Sequence, residues 1–135
     1  MDKLTPERRS ALMAKVKSRD TKPERVVRRL VWSLGYRYRL HSSRLPGKPD
    51  MVFASKKKVI FIHGCFWHRH SCRRGQSFPS TRVEFWSEKF ARTVKRDASV
   101  LQELERLGWS ILVVWECELG DPTKLESRLK KFLKA

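Results

Sequence analysis

Val59-Ile60-Phe61-Ile62 and Ile111-Leu112-Val113-Val114-Trp115 are short runs of uncharged, largely β-branched residues, and one long helical pattern lies between them. Such runs read as strands buried on both faces, as in the interior of a parallel sheet. Strand, helix, strand is a βαβ unit, so the two strands run parallel with a right-handed crossover. Both strands then end at the same sheet edge. The chain leaves the first run as His63-Gly64-Cys65-Phe66-Trp67-His68-Arg69-His70-Ser71-Cys72 and the second as Glu116-Cys117. Topology therefore carries Cys117 to the edge that holds Cys65, His70 and Cys72, a Cys3His donor set of the kind that closes around structural zinc. Buried free thiols and a solvated loop histidine are the competing readings, since Cys-x4-His-x-Cys is an uncommon finger spacing.

Further elements extend outward from this unit. Thr5-Pro6-Glu7 can open a helix to about Arg19 with only Leu12, Met13 and Val16 as an apolar stripe, which suits a basic arm against a partner as well as a solvated helix. Thr21 and Glu24 form a capping-box pattern ahead of Val26, Val27, Leu30, Val31 and Leu34, with Gly35 as the stop. Tyr36-Arg37-Tyr38-Arg39-Leu40 alternates like a half-exposed strand, and a loop with two prolines leads to a strand at Asp50-Met51-Val52-Phe53. Thr81 and Glu84 make another capping-box pattern for a helix to Leu107, whose inward stripe is Trp86, Phe90, Val94, Leu101 and Leu104. Asp97 falls in that stripe, where a carboxylate needs a partner or a site to offset its burial. Asp121-Pro122 opens a last helix with Leu125, Leu129, Phe132 and Leu133 inward.

The chain has 135 residues, which suits one domain with a real core. Its 31 Lys and Arg against 14 Asp and Glu leave a net charge of +17. That excess, spread along the chain, fits a nucleic acid better than a membrane patch, and a 40% hydrophobic share with 10% aromatics excludes a disordered basic tail. No signal-peptide pattern and no apolar run of membrane-spanning length is present, so a cytoplasmic protein without a membrane partner is expected. Three cysteines, an odd number, argue against a disulfide framework.

Pro49-Asp50 before one core strand, followed by a turn and a second, is the skeleton of metal-dependent nucleases, in which a divalent cation activates water against a phosphodiester. The second strand ends Phe61-Ile62-His63 and lacks the common Glu-x-Lys; Pro-Asp is also ordinary turn grammar. Taken together, however, Leu45-Pro46-Gly47-Lys48-Pro49-Asp50, Val59 to His68, Glu84-Phe85-Trp86 and Val114-Trp115-Glu116-Cys117 resemble the very-short-patch-repair (Vsr) endonucleases, in the same order and over nearly the whole chain.

That resemblance implies an α/β, restriction-endonuclease-like fold of the PD-(D/E)xK superfamily: a three-layer core with a mixed central sheet, an N-terminal helical arm over 1–19 and a structural zinc site, all in one domain over 1–135. It implies a magnesium-dependent endonuclease that nicks double-stranded DNA 5′ to the thymine of T:G mismatches left by deamination of 5-methylcytosine. Mg2+ would be held by Asp50 and the backbone carbonyl of Ile62, with His68 as general base and His63, Asp97 and Glu24 in support. Zn2+ would be held by Cys65, His70, Cys72 and Cys117. Phe66, Trp67 and Trp86 would insert beside the mismatch, with Lys89 and Thr93 near the bases and Met13, Lys15, Lys17 and Arg19 of the arm on DNA. The resemblance further implies a bacterial, nucleoid-associated monomer that works with mismatch-repair proteins.

Several of these residues also have plainer readings. Glu24 is explained by its capping box, His63 by a strand end, and the three aromatics by an ordinary core. Two departures from the family pattern stand out: Ile62 replaces threonine, which a carbonyl ligand tolerates, and Thr93 replaces an asparagine near the mismatched bases. The second leaves room for a nicking enzyme of different or broader lesion specificity. A zinc-stabilised DNA-binding module without catalysis is the rival from another class.

Overall fold

The computed structural model describes residues 21–40 and 44–134. The expected arm, with Met13, Lys15, Lys17 and Arg19, lies outside the described residues. Helix α1 spans Lys22–Ser33, β1 Arg39–Leu40, β2 Met51–Phe53, β3 Lys58–His63, α2 Val83–Arg106, β4 Ser110–Trp115 and α3 Pro122–Lys134. Single helical turns cover Arg73–Gln76 and, as 3-10 helix, Ala54–Lys56 and Glu116–Gly120.

The sheet order is β1-β2-β3-β4, with β1/β2 and β2/β3 antiparallel and β3/β4 parallel. The expected βαβ unit is thus present, and its register runs from Lys58↔Ser110 to His63↔Trp115. Alternate residues of the strands face opposite sides. Met51, Phe53, Ile60, Leu112 and Val114 pack with Val27 and Val31 of α1 and Leu125, Leu129 and Leu133 of α3. Val52, Val59 and Phe61 pack on the other side with Leu104 of α2. Helices therefore cover both faces of a mixed sheet, which explains why the central strands read as unbroken apolar runs. Leu125, Leu129 and Leu133 recur at a four-residue spacing and are almost wholly buried; burial of each leucine contributes about 2 kcal/mol.

Three local expectations are corrected. The strand over Tyr36 to Leu40 is reduced to Arg39–Leu40, both exposed. Helix α2 starts at Val83 because Arg82 adopts left-handed backbone (φ 53°, ψ 46°) and makes no side-chain cap, so the Thr81/Glu84 capping box does not form. On α2 the inward face passes through Thr93, 8% exposed, while Val94 is 46% exposed; the stripe steps from Phe90 to Thr93 to Asp97, and the spacing of Phe90 and Val94 alone misplaces it.

Candidate active site and metal centre

The loop before β2 is shaped by Leu45-Pro46-Gly47-Lys48, where the Lys48 N–H donates to the Leu45 carbonyl at 3.2 Å and Gly47 has φ +72°. Pro then Gly at the two central positions is type II turn chemistry. A side chain on Gly47 would start 2.4 Å from Cγ1 of Val100, so the turn lies directly on α2. Pro49 behind it is fully buried. These contacts fix Asp50, whose Oδ2 accepts the Ile62 N–H at 2.7 Å. The carboxylate is thereby seated beside the Ile62 peptide, where β2 and β3 cease to pair. A carboxylate and a peptide carbonyl are the hard oxygen donors that a magnesium ion prefers.

One residue on, His63 is buried and its ring stacks on His68, with centroids 3.9 Å apart and planes 5° apart. His68 Nδ1 lies 2.6 Å from Oδ2 of Asp97 on α2. An ionised carboxylate only accepts, so Nδ1 is the donor, and in the neutral ring Nε2 carries the lone pair. This is the partner that the misfit of Asp97 in its helix stripe called for. Burial lowers the pKa of His63 to about 4, neighbouring His68 adding to the effect and Asp97 opposing it. His63 therefore backs His68 as a neutral ring near neutral pH.

Cys65, His70, Cys72 and Cys117 converge, with one ligand atom of each within 4.8 Å of the others. The cluster can hold a metal ion. Cys117 Sγ is 3.5 Å from His70 Nδ1. Zinc bonds of about 2.3 Å to sulfur and about 2.05 Å to nitrogen give a tetrahedral S···N edge of about 3.6 Å, so the spacing fits that ion. The Cys117 N–H donates to Cys65 Sγ at 3.3 Å, and the His70 N–H to the Cys65 carbonyl at 3.1 Å. Burial pushes the Cys65 thiol up to about 12, and a cation would reverse that preference by favouring the thiolate.

The aromatic residues form a third group. Phe66 meets Trp67, Trp86 and Phe90 at ring distances of 5.3, 5.9 and 5.2 Å, and Trp67 meets Trp86 at 5.7 Å. Phe90, 4% exposed, is their base; Phe66, Trp67 and Trp86 are half-buried. Lys89 Nζ stands 5.1 Å from the Trp67 ring centroid. A shallow groove beside them runs along α2, lined by Phe85, Lys89, Arg92, Thr93 and Arg96. The Thr93 hydroxyl donates to the Lys89 carbonyl at 3.0 Å. Glu24 is buried in the first turn of α1; its N–H donates to the Thr21 hydroxyl and its carboxylate pairs with Arg28 at 2.8 Å.

Sequence reasoning missed three contributors. Arg69, left-handed at φ 54°, places its guanidinium 4.1 Å from the Phe90 ring centroid and donates to the Ser77 carbonyl at 2.6 Å. Gly75 approaches the backbone of His70 so closely that a Cβ would lie 1.8 Å from its carbonyl oxygen. Trp115 stacks on His70. A cation between aromatic residues and a glycine beside a ligand loop are signals of this kind, but neither identifies its partner without the fold.

Comparison with known proteins identifies the family. The family model described as DNA mismatch endonuclease Vsr matches residues 1–74. Type II nicking enzyme V.XorIIP of Xanthomonas oryzae pv. oryzae is 50% identical over 132 residues, covering 98% of this chain and 96% of that protein. Type II nicking enzyme V.NmeAIP of Neisseria meningitidis serogroup A is 42% identical over 133 residues, 98% of this chain and 94% of the relative. DNA mismatch endonuclease Vsr of Escherichia coli is 43% identical over 117 residues, 87% of this chain and 74% of the relative. With the carboxylate, the histidine pair and the cysteine cluster drawn to one sheet edge, and with likeness of this extent, the chain belongs to the Vsr DNA mismatch endonuclease family.

Proposed function

We propose that this chain is a magnesium-dependent endonuclease that nicks one DNA strand on the 5′ side of the thymine in T:G mismatches, initiating very short patch repair. The observation that carries the reading is the His68–Asp97 pair, 2.6 Å apart, backed by the stacked ring of His63. Nicking and mismatch cleavage in the names of the relatives support it. The mixed sheet with helices on both faces supports a restriction-endonuclease-like core. A single domain over 1–135, with residues 1–19 as a DNA-binding arm, belongs to the same proposal.

Asp50 and the Ile62 carbonyl would hold magnesium, and Cys65, His70, Cys72 and Cys117 would hold zinc. Magnesium, when bound, supplies charge to the phosphate oxygens and makes water a better nucleophile. His68 Nε2 takes the proton of the attacking water while Asp97 fixes the ring through Nδ1. One P–O bond forms as the other breaks, and the departing sugar oxygen is protonated from solvent. Phe66, Trp67 and Trp86 enter the base stack where unstacking costs least, which is at a mismatch. Lys89 and Thr93 face the bases, and Glu24 supports the centre from α1. The proposal also has the protein act as a monomer, on DNA at the nucleoid in the bacterial cytoplasm and together with mismatch-repair proteins. No helix among the described residues is long and apolar enough to cross a membrane.

A second reading, nicking with different or broader lesion specificity, is favoured by Thr93, whose hydroxyl is already committed to the Lys89 carbonyl. The test is nicking of end-labelled duplexes carrying T:G, other mismatches, uracil:G or no lesion, in magnesium or EDTA, with Asp50→Ala alongside. Magnesium-dependent cleavage 5′ to the mismatched thymine, lost in Asp50→Ala with binding kept, is expected. Cleavage spread over other lesions selects the second reading. Tight binding with no cleavage of any duplex overturns both in favour of a non-catalytic DNA-binding module.

A further inference from the structure

We propose that Trp115 is a positioning residue that ties the cysteine–histidine cluster to the histidine pair, holding His63, and through it His68, in the orientation that meets Asp97. The role of His68 on water rests on the function proposed above; the positioning itself does not.

Trp115 is the last residue of β4 and lies opposite His63 in the parallel register. Its ring stacks on His70 with centroids 4.2 Å apart and planes 18° apart. It presents itself edge-on to His63 at 5.2 Å and 74°. His63 in turn stacks on His68, which lies 6.5 Å from the Trp115 ring. The rings His70, Trp115, His63 and His68 therefore make an unbroken series. One end is fixed in the cysteine–histidine cluster and the other by the carboxylate of Asp97 on α2. Close-packed rings do not shift independently, so a tilt of His70 is felt at His63 and then at His68.

The backbone of Trp115 is held separately from its side chain. Its N–H donates to Oε1 of Glu118 at 3.0 Å, and the same carboxylate is paired with the Arg128 guanidinium. Arg128 also donates to the Val113 carbonyl at 3.2 Å. The strand end and the turn that carries Cys117 are thus pinned without the indole, and truncating the indole tests the ring series alone. A flat ring is required at this position: an aliphatic side chain fills space but sets no plane for either imidazole.

The experiment compares wild type, Trp115→Met and Trp115→Phe, labelled with 15N-histidine and free of DNA. Metal content, long-range 1H–15N imidazole spectra, duplex affinity and single-turnover nicking in magnesium are measured. Trp115→Met is expected to keep its metal content and affinity, to lose the uniform Nδ1–H tautomer of His68, and to nick about tenfold more slowly. Trp115→Phe, with a flat ring, is expected to restore most of both. A methionine variant with wild-type spectrum and rate overturns the proposal. So does a change that follows metal loss alone and is not restored by phenylalanine. Should the methionine variant not fold, Trp115→Leu takes its place under the same criteria. If the wild type nicks no duplex, the proposed function fails, while the imidazole spectrum still decides the positioning role.

Discussion

His68 Nδ1 and Asp97 Oδ2 stand 2.6 Å apart at a sequence separation of 29, joining the loop that follows β3 to the middle of α2. The pair fixes which nitrogen of His68 is left to act. Asp97→Asn offers the same shape with an amide that can donate to Nδ1, which pushes the ring proton to Nε2 and removes the base. We predict a fall of about a hundredfold in single-turnover nicking with duplex affinity changed less than about twofold. A rate within a few fold of wild type rules out the general-base role.

Gly75 is the next point of leverage. With His70 oxygen 1.8 Å from the position of an added Cβ, Gly75→Ala cannot be accommodated without moving the backbone of His70, a residue of the cysteine–histidine cluster. The expected result is loss of bound metal and destabilisation of about 2 kcal/mol or more in chemical unfolding. Full metal content with an unchanged unfolding midpoint is the contrary outcome.

Much of this geometry was legible in the chain because it depends on period and topology. Two apolar runs with a helix between them dictate a parallel pair, and the pair delivers Cys65 and Cys117 to one edge. Asp97 stood out as a carboxylate on an apolar stripe, and its partner is His68. Less legible were contacts that depend on a single backbone choice. Arg82 turns left-handed and shifts the start of α2, and Thr93 takes the buried position that spacing gave to Val94. Arg69 and Gly75 act through neighbours that only the folded loop provides, and no periodic pattern marks either of them.

Trp67 is half-buried against Trp86 and Phe66 with Lys89 above its ring. Packed against these neighbours, the ring would need little further ordering to enter a base step, as the proposed function requires. Trp67→Ala should lower the preference for mismatched over matched duplex by about 1–3 kcal/mol, the scale of one stacked base. Equal losses of affinity on the two duplexes count against a wedge.

Arg69 supports the same surface from below, through Phe90 and the Ser77 carbonyl. Arg69→Met retains length but removes the charge and its donors. A stability loss of about 1–2 kcal/mol is expected from the cation–π contact and the hydrogen bond together. Because the loop carrying Phe66 and Trp67 is loosened, mismatch preference should fall along with it. Unchanged preference in a destabilised protein assigns Arg69 to folding alone.

The metal cluster can be tested without DNA. Cys65 is buried, Cys72 half-buried and Cys117 exposed, so three thiols in three environments should react with a disulfide reagent at three different rates if nothing joins them. A shared cation removes that difference, because each sulfur is held as a metal-bound thiolate and none is free to attack until the ion leaves. The protein as purified should therefore react slowly at all three cysteines. A strong chelator should release one zinc per chain, render the thiols reactive together and lower the unfolding midpoint, since the loop from Cys65 to Cys72 and the turn at Cys117 have lost their common anchor. Fast reaction of Cys117 before any chelator is added, with no zinc released, is the result that sinks the structural metal.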